Sequence, residues 1–592
     1  MAVVQSDPVR FAVLARRFDG IVKRMQHTLV RASRSGVIVN GHDCSCCLLT
    51  EQCELLSIAQ TIPIHVMSGA DEQARSMKMF HPILKRGDAY LHNSPYHGAT
   101  HAADLTLLVP IVDHQGTHRF TAMAKSHQAD IGNSQPTTYM AGARDVYEEG
   151  ALIFPAVKVQ RDFETIDDVV RMGQMRIRAP KQWHGDLLAL IGAARTGEKQ
   201  VMSLARDYGW DTLAQFAREW LEYSQAQMQA TIANFPAGSA YGESRHDAMP
   251  GTPSDGVPVK VKVDVDPSRQ RIGVDLTDNI DCMPNGLNLS EATARSSALI
   301  GVFNSFGARV PANGGSIRCV DVKLRQGCAI GIPNSTTSCS VATTNLSDRV
   351  VNAVQQAMSG ISAKAGMAEA GAIEGPAGAV ISGFDQRDGR GPYINQLALA
   401  GTAGGASFGE DGWLTLGNAC TAGMWTMDSI EVDELKYPLM VFERRLLRDS
   451  EGPGRFCGTP GCCVVYGPVS GEMRLSYACD GFVNAARGVQ NGGSGAGARQ
   501  WLLRAGTQRE ELPPLGDITL KPGDLVTAIT TGGGGYGRPN ARNIERVAQD
   551  VREGYVSCER ARDVYTVVID KTGGVDLQAT RELRREPKFQ PN

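Results

Sequence analysis

The chain lacks any excess of positive charge. Over 592 residues, 60 Lys and Arg stand against 63 Asp and Glu, a formal net charge of −3. Proteins that bind nucleic acid or acidic membranes gather basic residues, so neither partner is expected. No run approaches the roughly eighteen apolar residues that a membrane span needs, and the opening MAVVQSDPVR has no basic start followed by an apolar core. These absences lead to the expectation of a soluble, cytoplasmic protein. Paired CxxC spacings are missing too: the fourteen cysteines are scattered and include the neighbours Cys46-Cys47 and Cys462-Cys463. That distribution fits reduced thiols better than a disulfide framework, and Cys44, Cys46, Cys47 and Cys53 read as small buried side chains in a strand rather than a metal cluster.

Several motifs are also missing. The run Thr530-Thr531-Gly532-Gly533-Gly534-Gly535-Tyr536-Gly537 lacks the G-K-[ST] ending of a phosphate-binding loop. There is no G-x-S-x-G elbow, no C-x-x-C-H, and no dinucleotide fingerprint between a strand and a helix. The glycines at 401–409, 492–497 and 532–537 instead predict tight, close-approach backbone, and the four at 532–535 let one backbone pass close to another or to the active site. No internal repeat or low-complexity linker divides the chain.

What the chain does have is histidine concentrated in one place. Seven of its twelve histidines, His81, His92, His97, His101, His114, His118 and His127, fall within residues 81–132, and none follows His246. Here a turn rich in Gly, Pro and Asn, Asn93 to Gly98, delivers His101 and Asp104. Leu105 to Val112 reads as a buried strand, Asp113-His114-Gln115-Gly116 as a hairpin connection, and Phe120 to Ala124 as the returning strand. The return brings His127 back beside His101. Two imidazoles and a carboxylate suit a borderline divalent ion, zinc, or equally manganese or iron if further oxygen ligands join. His81, His114 and His118 read as surface positions. By itself H-x-x-D is a weak pattern, and an isolated Asp such as Asp43 before a strand is ordinarily a turn residue.

Along the rest of the chain, Asp7-Pro8 marks a helix start, and Phe11, Leu14, Phe18, Ile21, Val22, Met25 and Leu29 recur at helical spacing. Helices are predicted over 8–33, 70–80, 186–195, 200–233, 290–305 and 348–367, with 62–66 a short extended piece. From Val257 the texture becomes alternating, VPVKVKVDVD followed by RIGVDL, which predicts a hairpin. The class is α+β and multi-domain: an N-terminal α/β metal-bearing region (1–250), an α+β middle domain (251–376), and a β-rich, Gly-rich C-terminal domain (377–592) running as short strands to the end.

The segments HDCSCCLL with IPIHVMSG, GDAYLHNSPYHGATHAADLTLLVPI, SHQADIGNSQP with VYEEGALIFP, GDLLALIGAARTGEKQV, and GDLVTAITTGGGGYG with VAQDVREGYVS together resemble the hydantoinase B/oxoprolinase family over about residues 7–570. The resemblance implies the metal-bearing subunit of an ATP-dependent cyclic amide hydrolase. A hydantoinase A-type partner would bind ATP and Mg and phosphorylate the amide carbonyl oxygen, and metal-activated water would open the ring. It implies Asp43, His101, Asp104 and His127 as ligands of one divalent metal, adding Asp43 to the set reached from spacing. Asp130 and Glu148 lie close in sequence and are the candidates to orient or deprotonate water. Asn93-Ser94-Pro95-Tyr96 departs from the family's N-D-P-Y, and GNACTAGMWTMDS at 417–429 departs from its Thr- and Asn-rich segment. The same resemblance admits a subunit of an ATP-dependent ketone carboxylase, and a catalytically silent scaffold subunit is the remaining alternative.

Overall fold

Asp7 caps the first helix, Pro8–Ala32, its carboxylate accepting from the backbone N–H groups of Val9 and Arg10 at 3.1 Å, with Pro8 at the first helical position. The seven apolar positions read from periodicity are the face it buries. The computed structural model describes residues 7–306, 310–373, 375–505 and 509–585.

That helix and the long helix Pro180–Tyr208 cover one face of a seven-stranded sheet. Its strands are β1 (Cys44–Thr50), β2 (Leu55–Ile58), β3 (Ala89–His92), β4 (Asp104–Val112), β5 (His118–His127), β6 (Val157–Arg161) and β7 (Glu164–Thr165), in the order β2-β1-β5-β4-β3-β6-β7. The opposite face is covered by helix Ala70–Phe80. Both faces being covered, β1 and β4 are buried at every position. In β1, Cys44, Cys46 and Leu48 join one core and Cys47 and Leu49 the other, as the two-residue period of a strand requires. All fourteen cysteines are free thiols.

A second, four-stranded sheet is built from β8 (Gly238–His246), β9 (Val257–Asp266), β10 (Arg271–Asp275) and β11 (Val320–Lys323), ordered β11-β10-β9-β8. The predicted hairpin is β9 and β10, paired in register from Asp266↔Arg271. β8 precedes residue 251, so this sheet draws on the segment that sequence reading assigned to the first region. Helices Glu291–Phe306 and Leu346–Ile361 pack together beside it.

Two further antiparallel sheets form the C-terminal part. One pairs Gly391–Gln396, Val380–Asp385, Met473–Ala478 and Leu515–Leu520; the other pairs Leu439–Leu446, Cys462–Pro468, Leu525–Ile529, Arg499–Leu503 and Arg509–Glu511. They face one another across a shared core that includes Ile381, Leu475, Val464, Tyr466 and Val526. The glycine run threads between other backbones: the N–H groups of Gly532, Gly533, Gly534 and Gly535 donate to the carbonyls of Ala496, Thr459, Glu369 and Gly493. A Cβ at Gly532 would collide with the carbonyl oxygen of Ser450, which is why side chains are absent there.

Four expectations change. Residues 63–65 form a 3-10 turn, Pro63–His65, because Pro63 occupies its first position and the N–H of Val66 donates back to the Pro63 carbonyl. The helices expected at 186–195 and 200–233 are instead Pro180–Tyr208 and Trp210–Ala233, divided at Gly209 (φ +83°). Gly197 lies inside the first of them, where a Cβ would stand 2.6 Å from Met25 Sδ; it is a packing glycine, not a break. The helix expected over 348–367 ends at Ile361. Beyond residue 543 the chain is mainly helical (Ile544–Arg552, Cys558–Asp563, Leu577–Arg585) rather than a run of strands, since Val547 and Ala561 bury into a separate small core.

Candidate metal centre

The sheet order β1-β5-β4 brings three chain segments together at one end of the central strands. Asp104 opens β4 and is the cross-strand neighbour of His127, which closes β5. Asp43 immediately precedes β1, and its carbonyl accepts the backbone N–H of His127 at 3.0 Å. The hairpin that makes β5 return is set by Asp113, whose carboxylate accepts from the N–H groups of Gln115 and Thr117. His101 lies on the turn before β4, where the Asp104 N–H donates to the His101 carbonyl.

The side chains converge. His101 Nε2 is 2.9 Å and His127 Nδ1 3.1 Å from Asp104 Oδ1. The ligand atoms of His101, Asp104 and His127 all lie within 4.8 Å of one another, and all three residues are buried. A third imidazole comes from outside the histidine-rich stretch: His65 Nε2 stands 3.3 Å from Asp104 Oδ2 and 3.4 Å from Asp43 Oδ1. Sequence reading missed His65, because the turn that aims it is fixed by packing far along the chain: the Ser68 N–H donates to Ser296 Oγ three residues further on.

Burial opposes the charge on Asp104, but His101 and His65 outweigh it and hold this carboxyl well below the usual range. Burial pushes Asp43 up, offset in part by His127 and His65. Burial also works against a charged His101, yet Asp104 raises its pKa overall.

The donors fit a divalent cation. His101 Nδ1 is 2.7 Å from the carbonyl oxygen of Ser340, which can only accept, so this nitrogen carries a proton and Nε2 is the ring atom available to a cation in place of its hydrogen bond to Asp104. Hydroxyl groups, which adapt to either tautomer, face the outer nitrogens of the other rings: Ser45 Oγ at His65 Nδ1 (3.0 Å) and Thr138 Oγ1 at His127 Nε2 (3.3 Å). The buried Asp104 and half-buried Asp43 draw positive charge to this point, which protonated imidazoles supply and a bound divalent cation would supply in their place. The 2.9–3.4 Å separations are close to the spacing of about 3.4 Å that neighbouring donors have around a four-coordinate ion with bonds near 2.1 Å.

The other two candidates lie elsewhere. Asp130 accepts the Gly132 N–H on Oδ1, the Arg178 N–H on Oδ2, and the Arg178 guanidinium at 3.1 Å; its carboxylate fastens a loop. Glu148 is solvent-exposed and ion-paired with Arg144, whose hydrogen bonds lower its pKa to about 2. A permanently ionised, exposed carboxylate is no proton carrier for a buried centre. The helical turn Val146–Glu149 turns Glu149 inward instead, where Ser338 Oγ donates to it at 2.6 Å and burial raises its pKa. Of the seven clustered histidines only His101 and His127 reach the centre. His114 is exposed, and His81 and His118, expected at the surface, are half-buried and bonded to the Ala156 carbonyl and Thr121 Oγ1.

Asp43, His65 and His127 line a small, partly open cavity. Its remaining wall comes from distant segments, among them Tyr139, Gln396, Asn418, Thr421 and Trp425. Trp425 belongs to the segment 417–429 that departs from the resemblance, and the neighbouring Thr426 ties it down, donating from N–H and Oγ1 to the carbonyls of Gly41 and Asn40.

Fold and site together define a multi-sheet α+β protein with a buried His/Asp/His group that could hold a metal ion. The chain belongs to the hydantoinase B/oxoprolinase family, which it matches over residues 7–539. It is 29% identical to the beta chain of the caprolactamase of Pseudomonas jessenii, over 98% of this chain and 99% of that one. It is 27% identical to the B component of the putative D-/L-hydantoinase of Pseudomonas sp. (strain NS671), over 98% of each. The crystal structure of the ATP-dependent caprolactamase from Pseudomonas jessenii superposes with a TM-score of 0.87 at 26% identity, covering 98% of this chain and all of that one. Nucleotide-free acetone carboxylase shares the fold, with a TM-score of 0.87 at 18% identity over 98% of this chain and 82% of that one.

Proposed function

We propose that this chain is the metal-bearing subunit of an ATP-dependent cyclic amide hydrolase, working in the cytoplasm with an ATP-binding partner of the hydantoinase A type. The observation that carries the reading is the group His101, Asp104 and His127, whose ligand atoms lie within 4.8 Å of one another beside a cavity that Asp43 also lines, with His65 bridging Asp43 to Asp104. The relatives named as caprolactamase and hydantoinase components support the reaction class.

A cyclic amide resists hydrolysis because its nitrogen donates into the carbonyl. Phosphorylation of the carbonyl oxygen by the partner removes that resistance and makes the carbon electrophilic. A zinc, manganese or iron ion held by Asp43, His101, Asp104 and His127 would supply Lewis-acid polarisation and lower the pKa of water at the site. The chain's own residues do the rest. Ser340 and Thr138 orient the two imidazoles, His65 spans the two carboxylates, and Ile62, Ile64 and Trp425 shield the ring from bulk water.

The test is reconstitution with an ATP-binding partner and assay on a panel of lactams, hydantoins and 5-oxoproline, with and without bicarbonate. ATP-dependent ring opening independent of bicarbonate is expected. Bicarbonate-dependent consumption of a ketone, with every ring intact, would replace this reading with a carboxylase.

A further inference from the structure

We infer that the ring this site accepts is uncharged: a lactam or imide without a carboxylate substituent. The inference deepens the proposed function and rests on it.

Among the described residues, none of the fourteen that line the cavity is Arg or Lys. The acidic and basic side chains in the lining are Asp43, His65 and His127. Both imidazoles are committed, His65 to Asp43 and Asp104 and His127 to Asp104. Lys125 is buried beneath the site and spends its ammonium on the His65 carbonyl at 2.9 Å. A cation held by His101, Asp104 and His127 at one end would serve the reacting carbonyl. Among the described residues no positive group is left for a second anion on the ring.

A carboxylate on the ring would therefore lose its water without gaining a partner, and it would do so in the field of two existing carboxylates, Asp43 and Asp104. Each of those factors disfavours the ionised form. The remaining wall matches a neutral ring instead. Ile62, Ile64, Ile373 and Trp425 offer apolar surface to methylene groups. Across from them Tyr139, whose hydroxyl accepts from Gln396 Nε2 at 2.5 Å, and Asn418 offer neutral polar groups able to read an amide N–H and C=O.

The discriminating pair is 2-pyrrolidinone and 5-oxoproline, the same five-membered lactam without and with a carboxylate. The complex with the ATP-binding partner is assayed for ATP-dependent opening of each, and ligand-observed NMR reads binding of each ring to the same complex whether or not it turns over. The expected result is a kcat/KM at least tenfold higher for 2-pyrrolidinone and NMR attenuation of its signals alone. Trp425→Arg, which places a guanidinium on the apolar wall, is expected to narrow that ratio at least threefold. Equal or better opening or binding of 5-oxoproline by the wild-type complex would overturn the inference and leave the ring-opening reading standing. Bicarbonate-dependent ketone consumption with neither ring bound would overturn both.

Discussion

His101 and Ser340, 239 residues apart in sequence, meet at 2.7 Å between Nδ1 and the carbonyl oxygen. This contact keeps a proton on Nδ1 and leaves Nε2 facing Asp104 at 2.9 Å. A segment from the middle of the chain thereby orients a candidate ligand beside the first sheet.

His65 occupies a different position from the other imidazoles, between the two carboxylates rather than against one. His65→Ala should weaken metal affinity by about 10–100-fold without abolishing binding. Competition with a chelator of known affinity measures it; loss as complete as in His101→Ala would make His65 an obligatory ligand.

The adjacent glutamates should behave oppositely. Glu148→Ala, at an exposed pair, is expected to leave turnover within about twofold of wild type. Glu149→Ala strands the Ser338 hydroxyl in a buried site and should cost on the order of 1–3 kcal/mol of stability. Thermal melts and steady-state rates on both variants distinguish them.

The glycine run gives a packing prediction. Gly532→Ala drives a methyl group into the Ser450 carbonyl and should cost more than about 3 kcal/mol, or abolish soluble expression. Gly116→Ala, at a hairpin with φ +83° and open space around it, should cost only about 1 kcal/mol. Comparable melting of the two would show that the close backbone passage contributes little.

A pH dependence follows from Asp433 and Asp428. Burial and the neighbouring Asp428 push Asp433 up to about 8, and burial raises Asp428 to about 6. The folded state therefore holds protons that the unfolded state releases near pH 4, so stability falls as pH rises from about 4 to 8. The Tm should drop between pH 5 and 8, and Asp433→Asn should reduce that drop by about 1–3 °C. An identical drop in the variant would remove Asp433 as its source.

Much of this was legible in the sequence because it is local. The apolar face of helix Pro8–Ala32 follows from its 3.6-residue period, and the meeting of Asp104 with His127 follows from two strands joined by a short turn. The resemblance added Asp43, which the sheet order brings against His127. His65 was not legible, since a 3-10 turn docked on helix Glu291–Phe306 aims it. Nor was the cavity wall: Gln396 and Trp425 reach it only through tertiary packing. Asp130 and Glu148 were placed by nearness along the chain, which says nothing about which way a side chain turns at a loop or a one-turn helix.

The most direct measurement is elemental analysis of the purified wild-type chain beside His101→Ala and Asp104→Ala, with circular dichroism to confirm that each is folded. The account predicts about one zinc, manganese or iron per wild-type chain and close to none in either variant. A folded wild-type chain without divalent metal, or folded variants that retain it in full, would contradict the central claim.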